Sequence, residues 1–416
     1  MSFTSKPAAS RWGDVYIDAA ARFLAQTGMF GVMTALMLQV QTTGEGGLAA
    51  AGVTIASMLP MVVLAPLIGR WVDAVDSRVL VIASGAVRIV ASLALATTDN
   101  VFVLLAYVLL LSVGTAVLQP TLGAMIPAMV TRDDLPRATA IGQSASTLGF
   151  IAGPAMAGVL VGQYGPHSAM LVNAVCALAT VSAGFLIRTR RGGRFREQSS
   201  RDANARAWRP SDDGLIHLMI VGLALIVGVV SAVNVVEVFF IRETMHATTT
   251  VYGLVSAAWA VGMAVGAWAL ARPIKNTSND RRLLQGMFLS LGLTCAVIAS
   301  AALVHGSAWW LVPLFLAGGG LNGGENTLVG SLLGRRVPAD SRGRANASLN
   351  GWLQGLSLFG YAAGGVAVEL LSPRITVAAC GLVGLAVVFV LVPMMRRART
   401  STQDEGGPVV EEPAVA

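Results

Sequence analysis

Apolar residues in this chain are grouped into twelve long stretches, which short polar segments separate. The hydrocarbon core of a bilayer is about 30 Å thick, and a helix of about 20 residues crosses it. The pattern therefore predicts an all-α integral membrane protein with twelve transmembrane helices. The predicted spans, numbered 1 to 12, are 18–40, 48–69, 79–98, 101–126, 138–162, 167–187, 214–241, 251–271, 283–304, 308–333, 345–370 and 375–395.

Basic residues are distributed unevenly among the gaps between these spans. Of the 29 Lys and Arg residues, only Arg242 and Arg374 lie in odd-numbered gaps. Translocated loops disfavour Lys and Arg, so the even-numbered gaps and both termini are predicted to be cytoplasmic in a multi-pass protein of the cell membrane. Only 12% of residues are charged, too few for the surface of a soluble protein. Membrane topology thus explains the net charge of +7, and no nucleic-acid partner is predicted.

The residue types that carry enzyme chemistry are scattered. Cys176, Cys295 and Cys380 each stand alone in an apolar stretch, which is typical of packing residues. The four histidines are far apart, and no nucleophile is paired with a base near one surface. The sequence therefore predicts no enzyme activity, no metal site and no cofactor.

The chain divides into two halves that repeat each other. The sequence RATA at 137–140 corresponds to RANA at 344–347, and the same offset of 207 relates Gly153 to Gly360 and Gln119 to Asn326. Two repeated bundles favour a transporter, because alternating access needs two bodies that rock about a central site; duplication without transport is the alternative. The predicted segments are a cytoplasmic start (1–17), a six-helix bundle (18–187), an Arg-rich cytoplasmic linker (188–213), a second six-helix bundle (214–396) and a disordered tail (397–416).

The gap between spans 2 and 3 reads GRWVDAVDSR over residues 69–78. It resembles the G-x-x-x-D-R-x-G-R-R loop of the major facilitator superfamily, and its D-x-x-D-x-R form is similar to the branch that contains the enterobactin exporter and macrolide-efflux proteins. Asp73 is an anion that could sit at the positive amino end of span 11 and hold the cytoplasmic side closed. An ordinary charged turn is the alternative. The predicted gating residues are Gly69, Arg70, Asp73, Asp76, Arg78, Gly343 and Arg344.

Span 5 contains GFIAGPAMAG at 149–158, which resembles the g-x-x-x-G-P-x-x-G-G signature of exporters in that superfamily. Gly149, Gly153, Pro154 and Gly158 match, although plain helix packing uses the same residue types. The resemblance covers nearly all of both halves. It implies a twelve-helix fold and secondary active efflux of a small amphipathic organic compound such as a drug, antibiotic or siderophore, with uptake of a nutrient or a transport-dead sensor or scaffold as alternatives. Span 4 lacks the arginine that many drug–proton antiporters carry, so the resemblance supports proton coupling less strongly than it supports the fold.

Ionisable residues inside spans need a partner or a function. Glu325, Glu237 and Arg88 are the coupling candidates. For Glu325, coupling and structural hydrogen bonding are equal alternatives, whereas an internal ion pair is favoured for Arg88. Glu237 and Glu369 lie near the outer surface, where a solvated carboxylate is favoured. Asp18 and Arg22 are spaced as a local ion pair.

Polar and aromatic residues near the middle of spans are candidates for a substrate cavity, because spans 1, 4, 7 and 10 line the cavity in the resembled fold. For the two tryptophans, core or lipid packing is the alternative. A monomer with protons as the coupling ion is expected. The cavity candidates are Gln26, Gln119, Gln143, Asn234, Trp259, Asn322, Asn326, Asn350, Trp352 and Gln354.

Overall fold

A computed structural model describes residues 10–189, 213–338 and 341–397, and the predicted all-helical membrane fold is confirmed. The helices in these ranges are α1 (Trp12–Thr43), α2 (Gly46–Val63), α3 (Ala65–Ala74), α4 (Ser77–Leu95), α5 (Val101–Met129), α6 (Leu135–Tyr164), α7 (Pro166–Leu186), α8 (Gly214–Phe239), α9 (Thr249–Asn276), α10 (Asp280–Ala301), α11 (Leu311–Arg336), α12 (Arg342–Leu370) and α13 (Pro373–Arg397). A π-helical segment (Phe240–Thr244) extends α8, and a 3-10 turn (Ala308–Trp310) precedes α11. Most of the predicted linker and tail lies outside the described residues.

The twelve predicted spans correspond to these helices, with α2 and α3 together forming span 2. Pro66 stands in the first turn of α3, where its missing N–H interrupts the helix. Ten helices in the described ranges are long and apolar enough to cross a membrane. The other two spans are α11 and α12, which have 26 and 29 residues but more glycine and polar side chains.

Helix α1 starts at Trp12, before the predicted start at residue 18, because its first charged residues have partners inside the bundle. The Asp14 carboxylate accepts hydrogen bonds from the backbone of Arg188 (3.4 Å) and Thr189 (2.9 Å). The predicted Asp18–Arg22 ion pair is confirmed, with 2.6 Å between Arg22 Nε and Asp18 Oδ2, and both residues are buried.

Side-chain caps define where several helices begin. Asp76 caps α4 and Asn100 caps α5, each through a backbone N–H two residues on. Asp213 caps α8 and Asn279 caps α10 in the same way. Such residues satisfy the N–H groups that the first turn leaves unpaired, so the helix starts are encoded locally.

Helices α1–α7 form an N-terminal half and α8–α13 a C-terminal half, and within each half neighbouring helices pack extensively. We call the end where α7 stops and α8 starts the linker end, and the opposite end the distal end. At the linker end of the C-terminal half, the Arg336 guanidinium bonds Asp213 (2.7 Å) and Asp280 (3.0 Å), joining three chain segments. Between the halves, the principal contacts are α6 with α9 and α2 with α12. These two pairs are equivalent under the repeat, which exchanges α6 with α12 and α2 with α9.

Candidate functional site

The halves meet at the distal end through close backbone contacts. Helix α6 crosses α9 at Gly158 and Gly253, where a Cβ added to Gly158 would lie 2.9 Å from the Gly253 Cα. Helix α2 crosses α12 at Gly47 and Gly365, where a Cβ added to Gly47 would lie 2.5 Å from the Gly365 carbonyl oxygen. Glycine is required at these positions because any side chain would push the helices apart. The distal end is therefore closed.

Toward the linker end, several glycines have open space beside them. A Cβ added to Gly69, Gly123, Gly330 or Gly355 would meet no atom within 4 Å. Among the described residues, α3 packs against α2 and α5 of its own half. The close backbone contacts that the structure describes between the halves therefore lie at the distal end.

Two amide side chains form a bridge inside the N-terminal half. Gln119 of α5 donates a hydrogen bond from Nε2 to Gln26 Oε1 of α1 at 3.0 Å, and both side chains are half-buried. The repeat relates Gln119 to Asn326, and it relates Gln26 to Asn234 with one extra position. Asn234 and Asn326 are exposed on α8 and α11, the equivalents of α1 and α5. Amides at matching depth thus occur on four helices.

The two sides of α11 carry different chemistry. Asn322 and Asn326 share a face with Val329 and Leu333, which belong to one apolar cluster with residues of α8. Each residue turns the helix by about 100°, so Glu325 lies about 60° around the helix from Asn322 and about 100° from Asn326. Glu325 is 3% exposed, lies beside Cys295 of α10 and receives a hydrogen bond from Asn322, while its Oε2 has no partner. The carboxyl group is buried beside α10, with Asn322 next to it, whereas Asn326 is exposed.

The other cavity candidates are divided between two environments. Asn350 and Gln354 share the face of α12 that carries Tyr361 and Gly365 and turns toward α2, while Trp352, 56% exposed, lies on the opposite face. The Trp259 ring packs against Gly318 of α11 and meets Phe315 edge-on, with 5.9 Å between ring centroids. Gln143 is exposed on α6. Both tryptophans thus occupy positions that correspond to their packing alternatives.

The surroundings of Glu237 differ from the solvated environment that its depth along span 7 favoured. Its Oε1 accepts a hydrogen bond from the Ser256 hydroxyl of α9 at 2.7 Å, and the buried Tyr252 lies close by. The side chain is half-buried because α9 covers it near the distal end. The carboxylate therefore links α8 to α9 within the C-terminal half.

Arg88 corrects the predicted internal ion pair. Its side chain is completely buried among α1, α4, α5 and α7, and Nη2 donates to the Ala25 carbonyl and to Asn173 Oδ1, both at 3.0 Å. Asn173 Nδ2 in turn donates to Ser92 at 2.7 Å. Among the described residues, the groups that accept hydrogen bonds from the guanidinium are neutral, and no carboxylate forms an ion pair with it. Asn173 was not predicted as a functional residue, although a lone amide in an apolar span was the available signal.

The span 5 motif contacts two partners in succession. Gly149 and Gly153 lie against α1, where added Cβ atoms would be 2.5 Å from the Phe23 oxygen and 2.9 Å from the Thr27 oxygen. One turn further on, Gly158 lies against α9 of the other half. The motif therefore serves both packing within the N-terminal half and the distal contact.

The gating residues are only partly described. Asp76 caps α4, Arg78 lies 5.2 Å from the Phe185 ring centroid, and Arg344 donates to the Ser341 hydroxyl at 2.8 Å. Arg70 is exposed. The predicted contact of Asp73 with the start of α12 lies outside what the structure describes, because the Asp73 side chain is not described. In the described part of the chain, no group of three His, Cys, Asp or Glu residues is placed to hold a metal ion.

Residues 19–361 match the family model of the Major Facilitator Superfamily. Among similar solved structures is a bacterial homologue of the iron transporter ferroportin in an inward-facing state, with a TM-score of 0.70 and 17% identity over 92% of this chain and 99% of that one. The nucleoside transporter NupG has a TM-score of 0.69 and 12% identity over 92% and 99%. A POT family transporter in complex with a thioalcohol-conjugated peptide has a TM-score of 0.74 and 10% identity over 92% and 96%. No curated protein sequence matches the chain.

Proposed function

Because this chain belongs to the major facilitator superfamily and is a multi-pass membrane transporter, we propose that it exports a small amphipathic organic compound by proton-coupled alternating access. The distal contact between Gly158 and Gly253 carries the proposal. It belongs to the motif that resembles an exporter signature, and it joins the halves at the distal end, where their close backbone contacts lie. With a cytoplasmic linker, as the arginine distribution predicts, this conformation faces inward.

The proposed substrate class follows from the amide side chains on α1, α5, α8 and α11. Gln26, Gln119, Asn234 and Asn326 offer hydrogen-bond donors and acceptors without net charge, which suits the polar groups of a drug-, antibiotic- or siderophore-like molecule. Asn350 and Gln354 extend this set on α12. In the outward-facing conformation the linker end closes, and Asp73 then approaches the start of α12 near Gly343 and Arg344.

Glu325 is the proposed proton carrier. A carboxyl group buried at 3% exposure, with one oxygen lacking a partner, gains least from remaining charged and can take up a proton when the halves rearrange. Glu237 is the second candidate because it lies near the distal contact, and Arg88 is a structural cation in this proposal.

Export and coupling are tested separately. Cells that contain the protein should accumulate less of at least one dye in a panel of amphipathic fluorescent compounds; higher accumulation would indicate uptake, and no change with any dye would contradict the proposed substrate class. In vesicles, Glu325→Gln should abolish substrate-driven proton movement, whereas Glu45→Gln, which removes an exposed carboxylate, should not. Unchanged coupling in Glu325→Gln would exclude this carboxylate as the carrier.

A further inference from the structure

Glu369 lies next to the last residue of α12 and reaches across to the N-terminal half. Its Oε1 accepts a hydrogen bond from the backbone N–H of Gly47 at 2.8 Å, with the N–H of Leu48 at 3.5 Å. These two amides belong to the first turn of α2. A carboxylate of one half therefore caps a helix of the other half.

Helix α2 has no cap from its own sequence. Glu45 occupies the N-cap position, but its side chain makes no capping hydrogen bond. The first-turn N–H groups of a helix have no partner within the helix, and the helix dipole makes that end attractive to an anion. Glu369 supplies both the acceptor and the negative charge that Glu45 does not.

The contact depends on the tight crossing of α2 and α12. A Cβ added to Gly46 would lie 2.1 Å from Glu369 Oε1, and one added to Gly47 would lie 2.6 Å from the Val368 Cβ. Only glycines allow the carboxylate and the two backbones to approach this closely. When the halves separate at the distal end, the carboxylate must leave the α2 amides, so the hydrogen bond belongs to the distal-closed conformation alone.

We propose that Glu369 is a positioning residue of the transport cycle that latches the distal end closed. The proposal rests on the alternating access proposed above. Each end of the contact between α2–α3 and α12 would then have its own carboxylate. Glu369 bonds the start of α2 when the distal end is closed. Asp73 lies near the start of α12 when the linker end is closed. A bond made in only one conformation shifts the equilibrium by its differential free energy. For one exposed, charge-assisted cap we expect a shift of about 3- to 10-fold.

The test measures the populations of the two conformations directly. Spin-label pairs at Thr97 and Leu303 report the distal end, and pairs at Asp133 and Ser278 report the linker end; all four positions are exposed. The native cysteines are buried, so introduced cysteines can be labelled selectively in the full-length protein. Distances are measured by double electron–electron resonance in wild type, Glu369→Ala, Glu369→Gln and the control Glu45→Ala.

We expect Glu369→Ala to raise the ratio of distal-open to distal-closed molecules about 3- to 10-fold. The ratio of short to long distances in the linker-end pair should rise by the same factor. Glu369→Gln keeps an acceptor oxygen but loses the charge, so its shift should be smaller. Unchanged distances in Glu369→Ala, or an equal shift in Glu45→Ala, would overturn the latch. If wild type interconverts while Glu369→Ala does not differ from it, only the latch fails. If wild type shows one conformation at both ends with and without transported dye, alternating access and the latch fail together.

Discussion

Adding a single methyl group at Gly253 should open the distal end. The Cβ of Gly253→Ala would lie 2.4 Å from the Pro154 carbonyl oxygen and 2.8 Å from the Gly158 Cα. All its close neighbours are backbone atoms of α6, which cannot rotate away as a side chain could. Carbon atoms in contact prefer separations of about 3.5–4.0 Å, so α9 and α6 must separate by about 1 Å at this crossing.

The magnitude follows from where the clash occurs. Inserting a methyl group into a tightly packed contact costs about 1–3 kcal/mol. The clash destabilises only the distal-closed conformation, because α6 and α9 belong to different halves and separate when the distal end opens. The ratio of distal-open to distal-closed molecules should therefore rise about 5- to 150-fold. The protein's thermal stability should change little, since the packing within each half is untouched.

The distal spin-label pair at Thr97 and Leu303 measures this ratio. Gly162→Ala is the matched control on α6, because its Cβ would meet the hydroxyl oxygens of Thr249 at 2.7 Å and of Thr250 at 3.5 Å, and both side chains can rotate. Gly149→Ala is a second control: its clash with the Phe23 oxygen lies within one half, so it should lower thermal stability without changing the distance. A wild-type distance distribution in Gly253→Ala, or an equal shift in Gly162→Ala, would refute the reasoning.

Two further predictions concern the polar groups of the N-terminal half. Asn173→Ala removes a hydrogen-bond acceptor from the buried Arg88 and should reduce the free energy of unfolding by about 1–3 kcal/mol, measured by thermal unfolding in detergent. Thr180→Ala is the control, because the Thr180 hydroxyl donates to the Cys176 carbonyl of its own helix. Equal stability of the two variants would contradict this role for Asn173. Asp73→Asn should slow dye transport while membrane insertion stays normal. Asp133→Asn is the control at an exposed loop position and should leave transport unchanged. Normal transport in Asp73→Asn would exclude the proposed linker-end contact.

The two crossings at the distal end show how the repeat is used. Gly158 with Gly253 and Gly47 with Gly365 join symmetry-related helix pairs by the same means, close approach of backbones. In the part of the chain that the structure describes, the α2–α12 crossing alone adds a charged cap, which Glu369 near the end of α12 supplies to the partner helix. The repeat therefore supplies the architecture of the distal contact, and an individual side chain at one of its copies supplies the polar bond.

Local features of the sequence were sufficient to predict the helices and their grouping into two halves. A span must be apolar over about 20 consecutive residues, and a capping residue such as Asp76 or Asn279 acts on amides two or three positions away. The Asp18–Arg22 pair was predictable for the same reason, since both partners lie on one helix a single turn apart. The repeat also indicated that Gln119 and Asn326 occupy equivalent positions.

The partners of the buried polar groups were decided by the tertiary structure alone. Sequence position gives the depth of a residue along its span, but the neighbour that its side chain meets depends on how each helix is rotated and packed. Depth favoured a solvated Glu237, and the resembled fold favoured an ion-paired Arg88, whereas packing brings Ser256 to Glu237 and Asn173 to Arg88. The same limit applies to Glu325, which faces α10, and to Glu369, which bonds an amide 322 positions away. Hydrophobicity selects the helices locally, but which faces meet is settled only when all of them pack together.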